Sequence, residues 1–195
     1  MPGGPLKVGV IGCGMISDHY LAHMPRFDVL DVTACADIEP DRAAEKAREF
    51  GVPIACSVDE LLADPQIDLI VNLTTPQAHA EVSLSILRAG KHLFSEKPLG
   101  VTQGEGRQIL DEATDTGLLV GCAPDTFLGG GLQTCRKLID DGAIGEPIAA
   151  SVFSIERWGY PSVESDRAFV LQRGGGSMLD MGVYCVTALV SLLGP

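Results

Sequence analysis

Apolar runs alternate along this chain with stretches in which apolar residues recur every three to four positions. The first such pair is "LKVGVIG", Leu6 to Gly12, which reads as a strand, followed by "MISDHYLAHM", Met15 to Met24, which reads as a helix. The alternation continues. "VLDVTACAD" predicts a second strand, "PDRAAEKAREF" a helix with Pro40 in its first turn, and "IDLIVNLTT" a strand buried on both faces. "PQAHAEVSLSILRAG" predicts a helix with Thr75 as N-cap, Pro76 at the first position and Gly90 past its end. "KHLFS", the helix "TQGEGRQILDEATDTG" and the strand "LLVGC" complete the series. Parallel neighbours need a crossover connection, so this order predicts a mostly parallel sheet with helices on both faces, a doubly wound α/β domain over residues 1–123.

From residue 124 to 195 the pattern changes. A helix is expected in "LQTCRKLIDDG", a long strand in "PIAASVFSIERW", and a further helix after the glycine run of "RGGGSMLDMGVYCVTALVSLLGP". A lone strand needs a partner edge, so this part reads as the beginning of a second α/β domain whose sheet is incomplete.

Composition narrows the function classes. A hydrophobic fraction of 46% and a charged fraction of 21% fit a globular protein, and no apolar run reaches the roughly 18 residues that cross a bilayer. A net charge of −12 would repel a phosphate backbone, which sets nucleic acid aside as a partner. The six cysteines are scattered without a CxxC pair, which predicts reduced thiols, a cytoplasmic setting and no metal site.

The candidate chemistry begins at "VGVIGCGMIS". Gly12 and Gly14 end the first strand, where missing side chains let the backbone approach a pyrophosphate at the next helix's N-terminus, beside Met15 and Ile16. Ser17 stands where a third glycine is usual. Asp37 closes the second strand, placed to accept hydrogen bonds from ribose hydroxyls and to repel a 2′-phosphate. NAD is therefore expected over NADP, although Arg42 is near enough in sequence to meet a phosphate. "EKP", Glu96 to Pro98, ends a strand where ligands of open parallel sheets sit. A hydride carrier leaves any accompanying proton to the protein, and "LDMGVYC" offers Asp180 and Tyr184, four apart on one helix face.

"TTPQAHAEV" together with "AGKHLFSEKPLG" and the later "GGGSMLDMGVY" resembles the Gfo/Idh/MocA family of oxidoreductases, over about Lys7 to Pro195. The resemblance implies a Rossmann dinucleotide-binding domain and NAD(P)-dependent oxidation or reduction of a hydroxyl or carbonyl carbon. The implied substrate is a sugar, inositol or related polyol. It implies that Lys97 is the catalytic lysine with Glu96 beside it, and that Thr74, Thr75, Pro76 and His79 border the cofactor. Many relatives carry histidine where Tyr184 stands; tyrosine resembles the dihydrodiol dehydrogenase branch. Tyr184 is then expected as acid/base, Lys97 as its electrostatic helper, favouring the phenolate, and as substrate anchor, and Asp180 as orienting group or ligand of a substrate hydroxyl. Family members are about twice as long, with a second domain that supplies substrate pocket and subunit contacts, so a fragment or a truncated gene product is expected, with the full-length form a homo-oligomer. The other reading is a regulator or remnant that binds the dinucleotide without turnover, because half a pocket cannot exclude water from a reacting substrate. Arg157 and Trp158 are further candidates for lining a sugar-sized pocket.

Overall fold

The computed structural model describes residues 4–155 and 171–194. Six parallel strands form one sheet: β1 (Leu6–Ile11), β2 (Leu30–Ala36), β3 (Ile54–Cys56), β4 (Leu69–Asn72), β5 (His92–Ser95) and β6 (Val120–Cys122). Their spatial order is β3-β2-β1-β4-β5-β6. In register, Val8 pairs with Leu69 and Ile11 with Asn72, so the two central strands end together. Helices α1 (Met15–His23), α2 (Pro40–Phe50), α3 (Val58–Ala63), α4 (His79–Arg88) and α5 (Gln103–Thr116) make the crossovers. The expected doubly wound sheet is present, with its order reversing between β1 and β4, where such folds open a crevice.

The core lies on both sides of the sheet. Val8, Val10, Leu21, Cys35 and Val71 form one buried cluster with Ala43 and Ala47 of α2. Ile11, Ala34, Ile70, Leu87, Leu93 and Ile109 form the other. Successive side chains of β1 thus enter opposite clusters, which is why the strands read as continuous apolar runs and not as alternation. Each fully buried Leu or Ile contributes about 1.5–3 kcal/mol.

Three expectations need correction. The segment 54–63 carries β3 and α3, which the hydrophobic pattern did not reveal; α3 starts at a capping box in which Ser57 Oγ accepts from Glu60 N while the Glu60 carboxylate accepts from Ser57 N. The fourth helix begins at His79, not Pro76, because Thr75 to Ala78 close a turn in which Ala78 N donates to Thr75 O at 2.9 Å. That turn lets His79 point inward. Finally, residues 147–155 of the expected late strand form no strand: Ile148, Phe153 and Ile155 are 97%, 85% and 93% exposed. All the described strands belong to the one six-stranded sheet, and this segment pairs with none of them. Arg157 and Trp158 lie outside the described residues.

Beyond the sheet come α6 (Gly130–Asp140), a π-helical turn at Met178–Gly182 and α7 (Val183–Leu193). Arg136 of α6 donates to the carbonyls of Ser191 and Leu192, satisfying the C-terminal end of α7. Among the described residues no helix is long and apolar enough to cross a membrane.

Candidate active site

The glycine loop is built by close approach. Gly12 has φ +98°, and a Cβ there would lie 2.6 Å from the carbonyl carbon of Leu73, so only glycine lets β1 and the end of β4 stand so near. Gly14 caps α1 in extended conformation, and a Cβ on it would meet nothing within 4 Å. Met15 and Ile16, 63% and 42% exposed, leave the first turn of α1 open to a ligand. Ser17, in the third glycine position, is buried and donates from Oγ to Gly14 O at 2.6 Å, tightening the loop with its own side chain.

Asp37 stands at the end of β2, 7% exposed. Its Oδ2 accepts from Cys13 N at 2.7 Å and its Oδ1 from Glu39 N at 2.9 Å, so the carboxylate fixes the loop before any ligand arrives. Arg42 reaches both Asp37, at 3.6 Å, and Glu39, at 3.1 Å. An open loop at a helix N-terminus, a glycine no side chain could replace and a carboxylate at the second strand's end fit a dinucleotide.

Buried Asn72 organises the next turn. Its Nδ2 donates to His79 O and Ser83 Oγ, while its Oδ1 accepts from Thr74 N and Thr74 Oγ1. Thr75 stays exposed and Pro76 is buried. His79 is 1% exposed, its Nδ1 2.6 Å from Pro98 O and its Nε2 2.9 Å from Thr74 O. The ring therefore braces the turn after β4 against the "EKP" loop, whose Lys97–Pro98 bond is cis.

Lys97 is brought to residues 83 positions away. Its ammonium donates to Asp180 Oδ1 at 2.6 Å and Asp180 O at 2.7 Å, with both side chains about 15% exposed. It also lies 5.4 Å from the ring centroid of Tyr184. The π-helical turn loosens the backbone there, and the lysine takes up the Asp180 carbonyl. The glycine run delivers this turn. A Cβ on Gly174 would lie 2.1 Å from Val101 Cγ1 and 3.4 Å from Pro76 Cβ, and Gln77 Nε2 donates to Arg173 O at 2.7 Å.

Two contributors were missed from sequence. Tyr20 of α1 donates to Glu96 Oε1 at 2.8 Å, and Asn72 orders the turn that carries Thr74; each partner is set by topology, which local spacing does not encode.

Fold and site together define a dinucleotide-binding α/β protein of the Rossmann type. Two family models match: an oxidoreductase family with an NAD-binding Rossmann fold over residues 6–123, and the GFO/IDH/MocA C-terminal domain over 132–195. The chain belongs to the Gfo/Idh/MocA oxidoreductase family. It is 32% identical over 177 residues to 1,5-anhydro-D-fructose reductase of Ensifer adhaerens, covering 90% of this chain and 53% of that protein. It is 29% identical over 193 residues to trans-1,2-dihydrobenzene-1,2-diol dehydrogenase of Mus musculus, covering 97% of this chain and 56% of that one. Among solved structures it is similar to a variant of a 3-ketoreductase from Actinomadura kijaniata in complex with TDP-benzene and NADP. That match has a TM-score of 0.76 and 27% identity, over 97% of this chain and 56% of that one. The chain spans about half the length of these curated relatives.

Proposed function

We propose that residues 1–123 bind NAD(P) and that residues 124–195 belong to a second domain which completes the active site. The protein then moves a hydride between the nicotinamide and a hydroxyl or carbonyl carbon of a sugar, inositol or related polyol. The observation that carries this reading is the convergence of Lys97, Asp180 and Tyr184 just past the end of β5. The named relatives, acting on an anhydro sugar or a dihydrodiol, support a substrate with adjacent oxygenated carbons.

In this reading Gly12, Gly14, Met15 and Ile16 line the pyrophosphate, and Asp37 takes the ribose hydroxyls on its remaining lone pairs. Thr74, Thr75 and Pro76 border the nicotinamide side, with His79 bracing them from behind. NAD is favoured, since a 2′-phosphate would meet the Asp37 carboxylate, and Arg42 is engaged by Asp37 and Glu39. When bound, the dinucleotide supplies or accepts the hydride. The chain's own task is the proton and the orientation. An ammonium has three donors, and Asp180 engages two from Lys97, so the third is available for the substrate oxygen. Tyr184 takes the hydroxyl proton during oxidation and returns it during reduction, while Asp180 holds Lys97 in place. A cytoplasmic homo-oligomer is the setting we favour.

The test is calorimetric titration with NAD and NADP, followed by a turnover screen over sugars, inositols and polyols in this chain and in a form extended to the relatives' length. Replacing Tyr184 with Phe should lower turnover by roughly 100-fold or more; unchanged turnover removes its assigned role. Binding without turnover in both forms would instead identify a cofactor-sensing protein.

A further inference from the structure

Glu96 and Lys97 are adjacent, yet the carboxylate does not pair with the ammonium beside it. Its Oε1 accepts from the Tyr20 hydroxyl at 2.8 Å and its Oε2 accepts from the Lys97 backbone N–H at 2.9 Å. Glu96 N in turn donates to Asn72 O at 2.9 Å. Tyr20 comes from the second turn of α1, the helix whose N-terminus follows the glycine loop, and its ring lies 6.3 Å from that of Phe94 on β5. One phenol thus connects the helix that follows the glycine loop to the strand end that carries the lysine.

We propose that Tyr20 is a positioning residue for Lys97: its hydroxyl holds the Glu96 carboxylate in place, leaving the Lys97 ammonium to Asp180 and the substrate. The inference rests on the function proposed above only in giving Lys97 its catalytic task. Without the phenol, Glu96 has one donor fewer, and the ammonium of the next residue can supply another. A carboxylate in that position would compete with the substrate oxygen for the same proton. The phenol is well suited to the role because it stays protonated: burial first, and the charge of Glu96 second, push its pKa far above the usual phenol range. The same carboxylate adds to burial in pushing the Cys122 thiol up to about 12.

Tyr20→Phe and Glu96→Gln test the relay. In deuterium exchange followed by NMR, Tyr20→Phe should speed exchange of the Lys97 amide by about tenfold or more while Leu21, inside α1, exchanges as before. Equal rates at Lys97 in variant and parent would overturn the proposal whether or not the protein turns over any substrate. In the extended protein, Tyr20→Phe should lower kcat about tenfold with little change in the KM for NAD, and adding Glu96→Gln should lower it little further. Independent, multiplying losses would overturn the relay. The tyrosine ring carbon shifts, followed by NMR to pH 10.5, cover the case in which Tyr20→Phe fails to fold. The Tyr20 resonance should keep its protonated position throughout, and Glu96→Gln should displace it at neutral pH; a Tyr20 shift untouched by Glu96→Gln would sink the contact itself. Absence of any turnover in the parent would remove the proposed function but leave the exchange and titration results to decide Tyr20.

Discussion

At the scale of single residues, the site depends on positions where one atom more or less changes the outcome. Gly12 combines a left-handed φ of +98° with a space that a methyl group cannot share with the Leu73 backbone. Gly12→Ala should therefore cost about 1–3 kcal/mol in urea unfolding and weaken NAD binding; an alanine variant as stable and as tight as the parent would contradict the close approach. Cys122 makes a pH prediction. Burial, and then the charge of Glu96, raise its thiol from 9.0 to about 12 in the folded state, so the unfolded chain loses that proton first. The stabilisation is complete below about pH 9 and is lost as pH climbs toward about 12. Unfolding midpoints measured at pH 8 and pH 10.5 should fall less in Cys122→Ala than in the parent. Iodoacetamide at pH 8 should label exposed Cys135 and spare Cys122, with peptide mass mapping as the readout.

Among elements, what was legible in the sequence was what is stated locally. Apolar runs gave β1 and β4, because strands buried on both faces have little polar side to show. Gly90 and Gly117, both in the left-handed region, marked the ends of α4 and α5. The short β3 and α3 escaped because three-residue and six-residue elements are too brief for a period to register; the Ser57–Glu60 spacing was the usable signal. The start of α4 was misjudged because the side chain of Asn72 and the buried ring of His79, both tertiary contacts, hold Thr75 to Ala78 in a turn. Of the site, the glycine loop, Asp37, Lys97, Asp180 and Tyr184 were named from motifs and family likeness, but the bracing by Tyr20 and Gly174 depends on residues far apart in the chain. Caps also permit a measured test. Thr102 Oγ1 accepts from Glu105 N at the start of α5, so Thr102→Ala should lower stability by about 1 kcal/mol in urea; no change would mean that this cap contributes nothing.

For the whole molecule, the contact between Lys97 and Asp180 joins the sheet to the segment that follows the glycine run. Lys97→Met removes the cation paired with a mostly buried carboxylate, and amide exchange across Met178–Leu193 should quicken relative to β1 and β4. Uniform exchange in variant and parent would show that the glycine strap alone seats this segment. The sheet's connectivity carries a consequence for synthesis. Its central pair unites Val8 with Leu69, so the emerging polypeptide holds β1 and β2 while the groove's other wall has yet to be translated. Coenzyme can help the nascent chain only after Asn72 and the following turn have left the ribosome, and until then the exposed flank of β1 is open to chaperones and to misplaced neighbours alike.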